Sequence, residues 1–374
     1  MAFSSPRSLP QWAAFFDNKI PGAELPMWTQ ILGFFGLDEI LIVLVYGLYM
    51  EWRKATPLNR SLAYIVAMLA SISMLLAAVM GHVAGWIMEF GENTPSLIAS
   101  FRSFAGFGSQ DDFVGALVGS HSHEMAVAGM ALTAIIAAQH LGYAKATGTA
   151  FLVSRIGASM IGLGVIVMTL IYSAGVVSTW APPTLFESGP SGIPSDDTVT
   201  GVLVMGGGVV TLLALANLRT IFHRPVTLAA IWAWILSFAT VAVAGFSIEM
   251  NSGFFGAGDP QAAGASHDAI FTWFHQDVGL FLLPTIVLVM LVVALFVRQP
   301  QTEWIGWAAI VGSSILFVGG VLWVFVDSNL YGPAYWVSTL GLLGVGGAVL
   351  GILYDGVLRS QSKVIVHKRH GVAS

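Results

Sequence analysis

The residues of this chain that could do chemistry are histidines and carboxylates set inside long apolar runs. His121, His123 and Glu124 stand in the run 112–142. His267, Asp268, His275 and Asp277 stand in the first half of the run 267–297. His82 and Glu89 lie seven residues apart in the run 61–89, so they share a helix face. Glu249 closes the run 226–250, and Asp38 and Glu39 lie in the run 28–50. Ionisable groups in such runs are costly to bury and mark function. The chain has no cysteine. That excludes disulfides, iron–sulfur clusters, thiolate metal sites and cysteine nucleophiles. Three chemistries remain for buried imidazoles: axial ligation of haem iron, binding of copper or another transition metal, and a proton pathway shared with carboxylates.

Spacing sharpens the choice. Residues two apart on a helix point about 200° from each other. His121 and His123 therefore cannot bind one metal while the helix stays regular, but each can serve its own site. Gly119 and Gly129 flank them and Gly279 follows His275 by one turn, which leaves room for a macrocycle. His121, His123 and His275 are the expected cofactor ligands. His82, His267, Glu89 and Glu249 are further candidates for a metal. Asp38, Glu39, Glu124, Asp268 and Asp277 are candidates for a proton path or for hydrogen bonds to ligand histidines. Met88, Met125 and Met250 lie near the same positions; thioethers suit copper(I), though methionine is also an ordinary gap-filler. His140, His223, His367 and His370 sit at or beyond the opposite ends of their runs and read as packing or surface groups.

The elements that must hold these residues are membrane helices. Of 374 residues, 56% are hydrophobic and 9% charged; a soluble domain carries roughly a quarter charged. That deficit excludes a soluble globular enzyme, a nucleic-acid binder and a disordered scaffold. The net charge of −5 comes with no basic run to meet a phosphate backbone. A spanning helix needs about 20 mostly apolar residues. About nine such runs are present: 28–50, 61–89, 112–142, 152–180, 198–219, 226–250, 267–297, 303–326 and 334–358. The expectation is an all-α, polytopic membrane helix bundle. Residues 1–27 would be an external segment, 28–359 a single transmembrane domain and 360–374 a cytoplasmic tail. Lys and Arg concentrate on one side of this arrangement, from Arg53 and Lys54 to Lys368 and Arg369; only Arg7, Lys19 and Arg102 fall on the other. Cytoplasmic loops are the positive ones. The N-terminus is then outside and the C-terminus cytoplasmic in the cell (inner or plasma) membrane. The loops 91–111, 181–197 and 251–266 are external, and the polar residues named above share the outer half of the bilayer.

A weak internal repeat accompanies the spans. Val83-Ala84-Gly85-Trp86-Ile87-Met88-Glu89 parallels Val243-Ala244-Gly245-Phe246-Ser247-Ile248-Glu249. Next in each half comes a span with histidine in its outer part, His123 and His275. Ile156-Gly157 and Ile305-Gly306 follow, and then the glycine clusters Gly206-Gly207-Gly208 and Gly344-Val345-Gly346-Gly347. One leading helix would precede two parallel four-helix repeats, about 61–220 and 225–359. Across their axis His123 and His275 could hold one iron from both sides.

Ser120-His121-Ser122-His123-Glu124-Met125-Ala126-Val127-Ala128-Gly129 is similar to the His-x-His helix of the haem–copper oxidase and nitric oxide reductase catalytic subunits. The resemblance implies that His121 binds a high-spin haem and His123 a low-spin haem. Gly129, six residues after His123, matches a glycine of that helix. The second low-spin ligand would be His275, in Phe274-His275-Gln276-Asp277-Val278-Gly279. The family is itself built from repeated four-helix units, and it reduces O2 or NO. The likeness covers two helices, in permuted order. The family has twelve or more spans, and this chain shows no His-Pro-Glu-Val-Tyr-like segment and no adjacent His-His pair.

The functional expectation is a haem-binding membrane oxidoreductase or electron-transfer subunit. It would hold one or two haem b groups, with copper or non-haem iron as a second-metal alternative. Without cysteine the haem would be non-covalent. Expected partners are the lipid bilayer, quinol or an external cytochrome, and additional subunits of a membrane complex; no nucleic acid is expected. The alternative is a proton- or ion-coupled transporter using the buried histidines and carboxylates. A third reading is a copper- or iron-binding subunit without catalysis of its own.

Overall fold

The computed structural model describes residues 42–54, 62–90, 96–104, 106–174, 196–217, 220–249, 273–296, 301–326 and 331–347. All regular structure among them is helical. Helix α1 covers 42–54, α2 Leu62–Phe90, α3 Ser96–Phe104 and α4 Gln110–His140. Helix α5 runs Gly148–Thr169 and continues as a π-helical turn, Leu170–Ala174. Helix α6 begins as Asp196–Gly201, widens into a π segment, Val202–Gly206, and ends as Gly207–Leu215. Helix α7 is Pro225–Glu249. Helix α8 opens with a ten-residue π segment, Trp273–Leu282, before Leu283–Phe296. Helix α9 is Gln301–Phe325 and α10 covers 333–347.

Five of these are long and apolar enough to cross a bilayer, over Leu62–Met88, Gly148–Ser173, Pro225–Val243, Trp273–Leu291 and Glu303–Phe325. The chain is therefore a helical membrane protein. The other four expected runs are absent from that set for separate reasons. At 31 residues α4 is about 46 Å long, longer than a bilayer core of about 30 Å, but His121, His123 and Glu124 make it more polar. The apolar part of α6, Val199–Leu215, is short. The runs 28–50 and 334–358 are described only in part, as α1 and α10. Within the expected external loop 91–111 there is a helix, α3. Leu97, Ile98, Phe101 and Phe104 give it one apolar side, and Ile98 packs on the core formed by α2 and α4.

Local chemistry explains the ends of α4. The Ser109 hydroxyl oxygen accepts the backbone N–H of Asp112 at 3.0 Å, capping the first turn. Asp111 and Asp112 lie where the helix dipole favours negative charge. At the other end Gly142 takes φ 90°, a left-handed stop that a side chain resists. Pro225 at the first position of α7 loses no helical hydrogen bond.

The chain divides into two compact units. One contains 1–54, 71–125 and 169–182; the other contains 55–70, 126–168 and 183–374. The first has a core of Ala77, Met80, Ala84, Ile87, Phe113 and Leu117. In the second, α7 packs against α6, α8 and α9. Close glycine approaches dominate there, as expected where van der Waals packing drives helix association in lipid. A Cβ on Gly157 would lie 2.6 Å from the Gly207 carbonyl oxygen, and one on Gly208 2.5 Å from the Trp234 ring. Two π segments of this unit are engaged by α7: Trp234 Nε1–H donates to the Met205 carbonyl at 3.1 Å, and Ser237 Oγ to the Gly279 carbonyl at 2.6 Å.

Candidate functional site

The first unit gathers a polar centre around α4. Glu124 is fully buried there. Ser73 Oγ, from α2, donates to Glu124 Oε1 at 2.8 Å. Ser173 Oγ, from the π turn of α5, donates to Oε2 at 2.6 Å. Thr169 Oγ1 donates in turn to Ser73 Oγ at 2.8 Å. Three helices thus bring five oxygen atoms together, with one carboxylate at the end of a hydroxyl chain. Taking an ionised group out of water is costly unless hydrogen bonds or counter-charge offset it; here the groups touching it are hydroxyls.

The two histidines that precede Glu124 on α4 meet different helices, α2 and α5, as residues two apart on a helix point apart. His121 Nδ1 lies 2.8 Å from the Ala77 carbonyl oxygen of α2. His123 Nδ1 lies 2.8 Å from the Gly119 carbonyl oxygen of its own helix. A carbonyl only accepts, so Nδ1 carries the proton in both rings and Nε2 holds the lone pair when the imidazole is neutral. This is the posture of a metal-ligating histidine, whose other nitrogen is fixed by a backbone carbonyl. Gly81 makes the first arrangement possible: a Cβ there would lie 2.6 Å from His121 Nδ1. His123 stacks on Tyr172 of the π turn, with centroids 5.4 Å apart and planes 4° apart. The same π turn therefore presents Tyr172 to His123 and Ser173 to Glu124. π turns in α-helices frequently mark functional sites.

The remaining candidates are distributed as follows. His82 is half-buried on α2, next to Gly81. His275, half-buried, and Asp277, exposed, both lie in the π segment of α8, in the second unit. Phe274 beside them is fully buried, against Gly320 of α9. Glu89 lies in the last turn of α2 and Glu249 ends α7, but their side chains lie outside the described residues, as do Asp38, Glu39, His267 and Asp268. Among the described residues no three His, Asp or Glu side chains gather into a set that could hold a metal ion. His140 is half-buried at the end of α4 and His223 is exposed.

Sequence reasoning passed over Ser73, Thr169, Ser173 and Tyr172. The only signal was that Ser73 and Thr169 interrupt strongly apolar runs, which serine and threonine often do by bonding their own helix, as Thr133 does to the Gly129 carbonyl. No protein-family model, curated protein or solved structure matches the chain.

Proposed function

We propose that this chain is a haem-binding integral membrane oxidoreductase or electron-transfer subunit. The observation that carries the reading is the posture of His121 and His123, each with Nδ1–H held by a backbone carbonyl at 2.8 Å, which makes Nε2 the nitrogen that would ligate. Haem iron needs only one or two axial imidazoles from the protein. His123 and His275 would serve a low-spin haem b, and His121 a second haem. Bound haem supplies one-electron chemistry, exchanged with quinol or an external cytochrome. The residues around it would orient imidazoles and handle protons: Glu124 with its hydroxyls, and Asp277, Asp268, Asp38 and Glu39. Copper or non-haem iron at His82, His267, Glu89 and Glu249 belongs to the same proposal, as does likeness to the haem–copper oxidase and nitric oxide reductase subunits.

The same reading takes the chain as nine spans, one leading helix and two parallel four-helix copies, with the N-terminus outside the cell membrane. Glycine packing supports the repeat. Gly157 meets Gly207 between α5 and α6, and Gly312 meets Gly344 and Val345 between α9 and α10. Gly162 meets Val66 between α5 and α2, and Gly306 meets Pro225 and Val226 between α9 and α7. These are equivalent helix pairs in the two copies.

The test is the optical spectrum of the purified, reduced protein. A Soret band is expected. His123→Ala and His275→Ala should each abolish the low-spin signature while the protein still inserts, and His140→Ala should leave it intact. A colourless protein refutes the reading. One observation favours a second reading, a proton- or ion-coupled carrier: the enclosure of Glu124 by hydroxyls from two other helices. Substrate-dependent uptake into liposomes by a colourless protein would decide for it.

A further inference from the structure

We propose that Glu124, Ser73, Thr169 and Ser173 form a binding site for a small monovalent alkali cation, Na+ in preference to K+. The inference rests on the carboxylate-centred reading above and not on haem, so it stands or falls separately from the Soret band.

The donor set makes the argument. The carboxylate supplies Oε1 and Oε2, and the three hydroxyls supply one oxygen each. An all-oxygen set suits a hard cation and excludes the softer transition metals. One carboxylate balances a single positive charge; a divalent ion would leave an excess charge in the membrane interior, where it is costly. Three helices contribute to one connected set of five oxygens, more than a proton alone would need. The links between them are direct hydrogen bonds of 2.6–2.8 Å, so an ion enters only if the oxygens part, and the smaller ion asks for the smaller separation. The three hydroxyls here donate their hydrogens to oxygens of the set. Rotation of those hydrogens to carbonyls of their own helices, the bond that Thr133 makes to Gly129 at 2.9 Å, would turn oxygen lone pairs inward for the ion. The π turn of α5 is what presents Ser173: Tyr172 beside it is occupied by the His123 ring. The other titratable groups near Glu124 are His121 and His123 on α4 and Tyr172 on α5; none supplies an oxygen to the set.

The test is unfolding of the purified protein in NaCl, KCl or choline chloride at equal ionic strength and fixed pH. An ion that binds only the folded state multiplies the folding constant by 1 + [ion]/Kd, about 100-fold at 100 Kd. Saturable stabilisation by Na+, weaker with K+ and absent with choline, is expected. Glu124→Gln should abolish it, and Ser73→Ala and Ser173→Ala should each raise the half-saturating concentration at least about 10-fold, a change of about 1.4 kcal/mol in binding. The hydroxyl variants keep the test decisive if Glu124→Gln does not fold. Exposed Glu51→Gln should leave the sodium response unchanged. Equal stability in the three salts overturns the proposal. So does a sodium response that survives in both serine variants, or stabilisation that follows pH and not sodium.

Discussion

Replacing Gly81 with alanine separates two opposed effects on a single helix. An alanine in a helix interior is favoured over glycine by about 1 kcal/mol, so on propensity alone the change should stabilise α2. The position is not free, however. The new Cβ would lie 2.6 Å from Nδ1, 2.8 Å from Cε1 and 2.9 Å from Cγ of His121. Carbon contacts are comfortable at about 3.5–4.0 Å, so the ring must retreat by about 1 Å. That retreat stretches the 2.8 Å bond from Nδ1–H to the Ala77 carbonyl beyond the useful range. The bond is worth about 0.5–1.5 kcal/mol and the overpacking costs about 1–3 kcal/mol. Set against the propensity gain, the net expectation is a loss of about 0.5–3.5 kcal/mol.

Gly115→Ala is the matched control, because a Cβ at that exposed position of α4 meets nothing within 4 Å. It should gain up to about 1 kcal/mol. The two variants, identical in chemistry, should then differ by about 1.5–4.5 kcal/mol in denaturant unfolding followed by helical circular dichroism. A double-mutant cycle with His121→Ala locates the cost. Without the ring the clash disappears, and a coupling of about 1–3 kcal/mol is expected for residues in contact. If Gly81→Ala is as stable as Gly115→Ala, or if the cycle shows no coupling, the placement of His121 against α2 is wrong.

Other predictions follow from the same packing. Gly157→Ala puts a Cβ 2.6 Å from the Gly207 carbonyl, a backbone atom that cannot swing aside, and should lose about 3 kcal/mol or more, whereas Gly129→Ala, with nothing within 4 Å, should not; unfolding midpoints check this. Ser173→Ala removes one of two hydroxyl donors to Glu124 and should cost about 1.5–3 kcal/mol if the carboxylate is charged, measured by the same unfolding assay, while exposed Ser122→Ala should cost little. Tyr143, in the turn between α4 and α5, is fully buried beneath the Arg155 guanidinium, 3.9 Å from its ring centre. Burial pushes its phenol above the usual tyrosine range, and the Arg155 charge pulls part of that back. The unfolded chain loses this proton near pH 10 while the folded chain still holds it. The stability Tyr143 contributes is therefore complete below about pH 10 and falls as pH rises towards the folded value. Thermal scans should show that fall in the wild type and a shallower one in Tyr143→Phe.

Different parts of this arrangement were legible in the sequence to different degrees, for physical reasons. The apolar runs announced helices, because satisfying backbone groups in lipid leaves little alternative. The stop at Gly142 and the cap at Ser109 use the local signals that any helix uses. The short helix α3 was hidden inside an expected loop, since nine residues are too few for a periodic pattern to stand out. The π segments were not legible at all. One extra residue in a turn leaves composition and hydropathy unchanged, yet it sets which side chains reach a neighbouring helix. Glu124 could be singled out because a lone carboxylate in an apolar run is expensive wherever it points. Its partners could not. Ser73 and Ser173 are separated from it by 51 and 49 residues, and a hydroxyl in a helix usually bonds its own backbone. Whether a serine stays on its own helix or serves another group is decided by which faces pack and by the phase of the turn it occupies. Sequence polarity therefore put Glu124 among the candidates, but the helix packing that chooses its hydrogen-bond partners had to be seen. The same logic makes Ser173 more telling than Glu124 as a probe. Loss of the carboxylate would disturb almost any buried centre, whereas a response to loss of one hydroxyl on a π turn tests this geometry in particular.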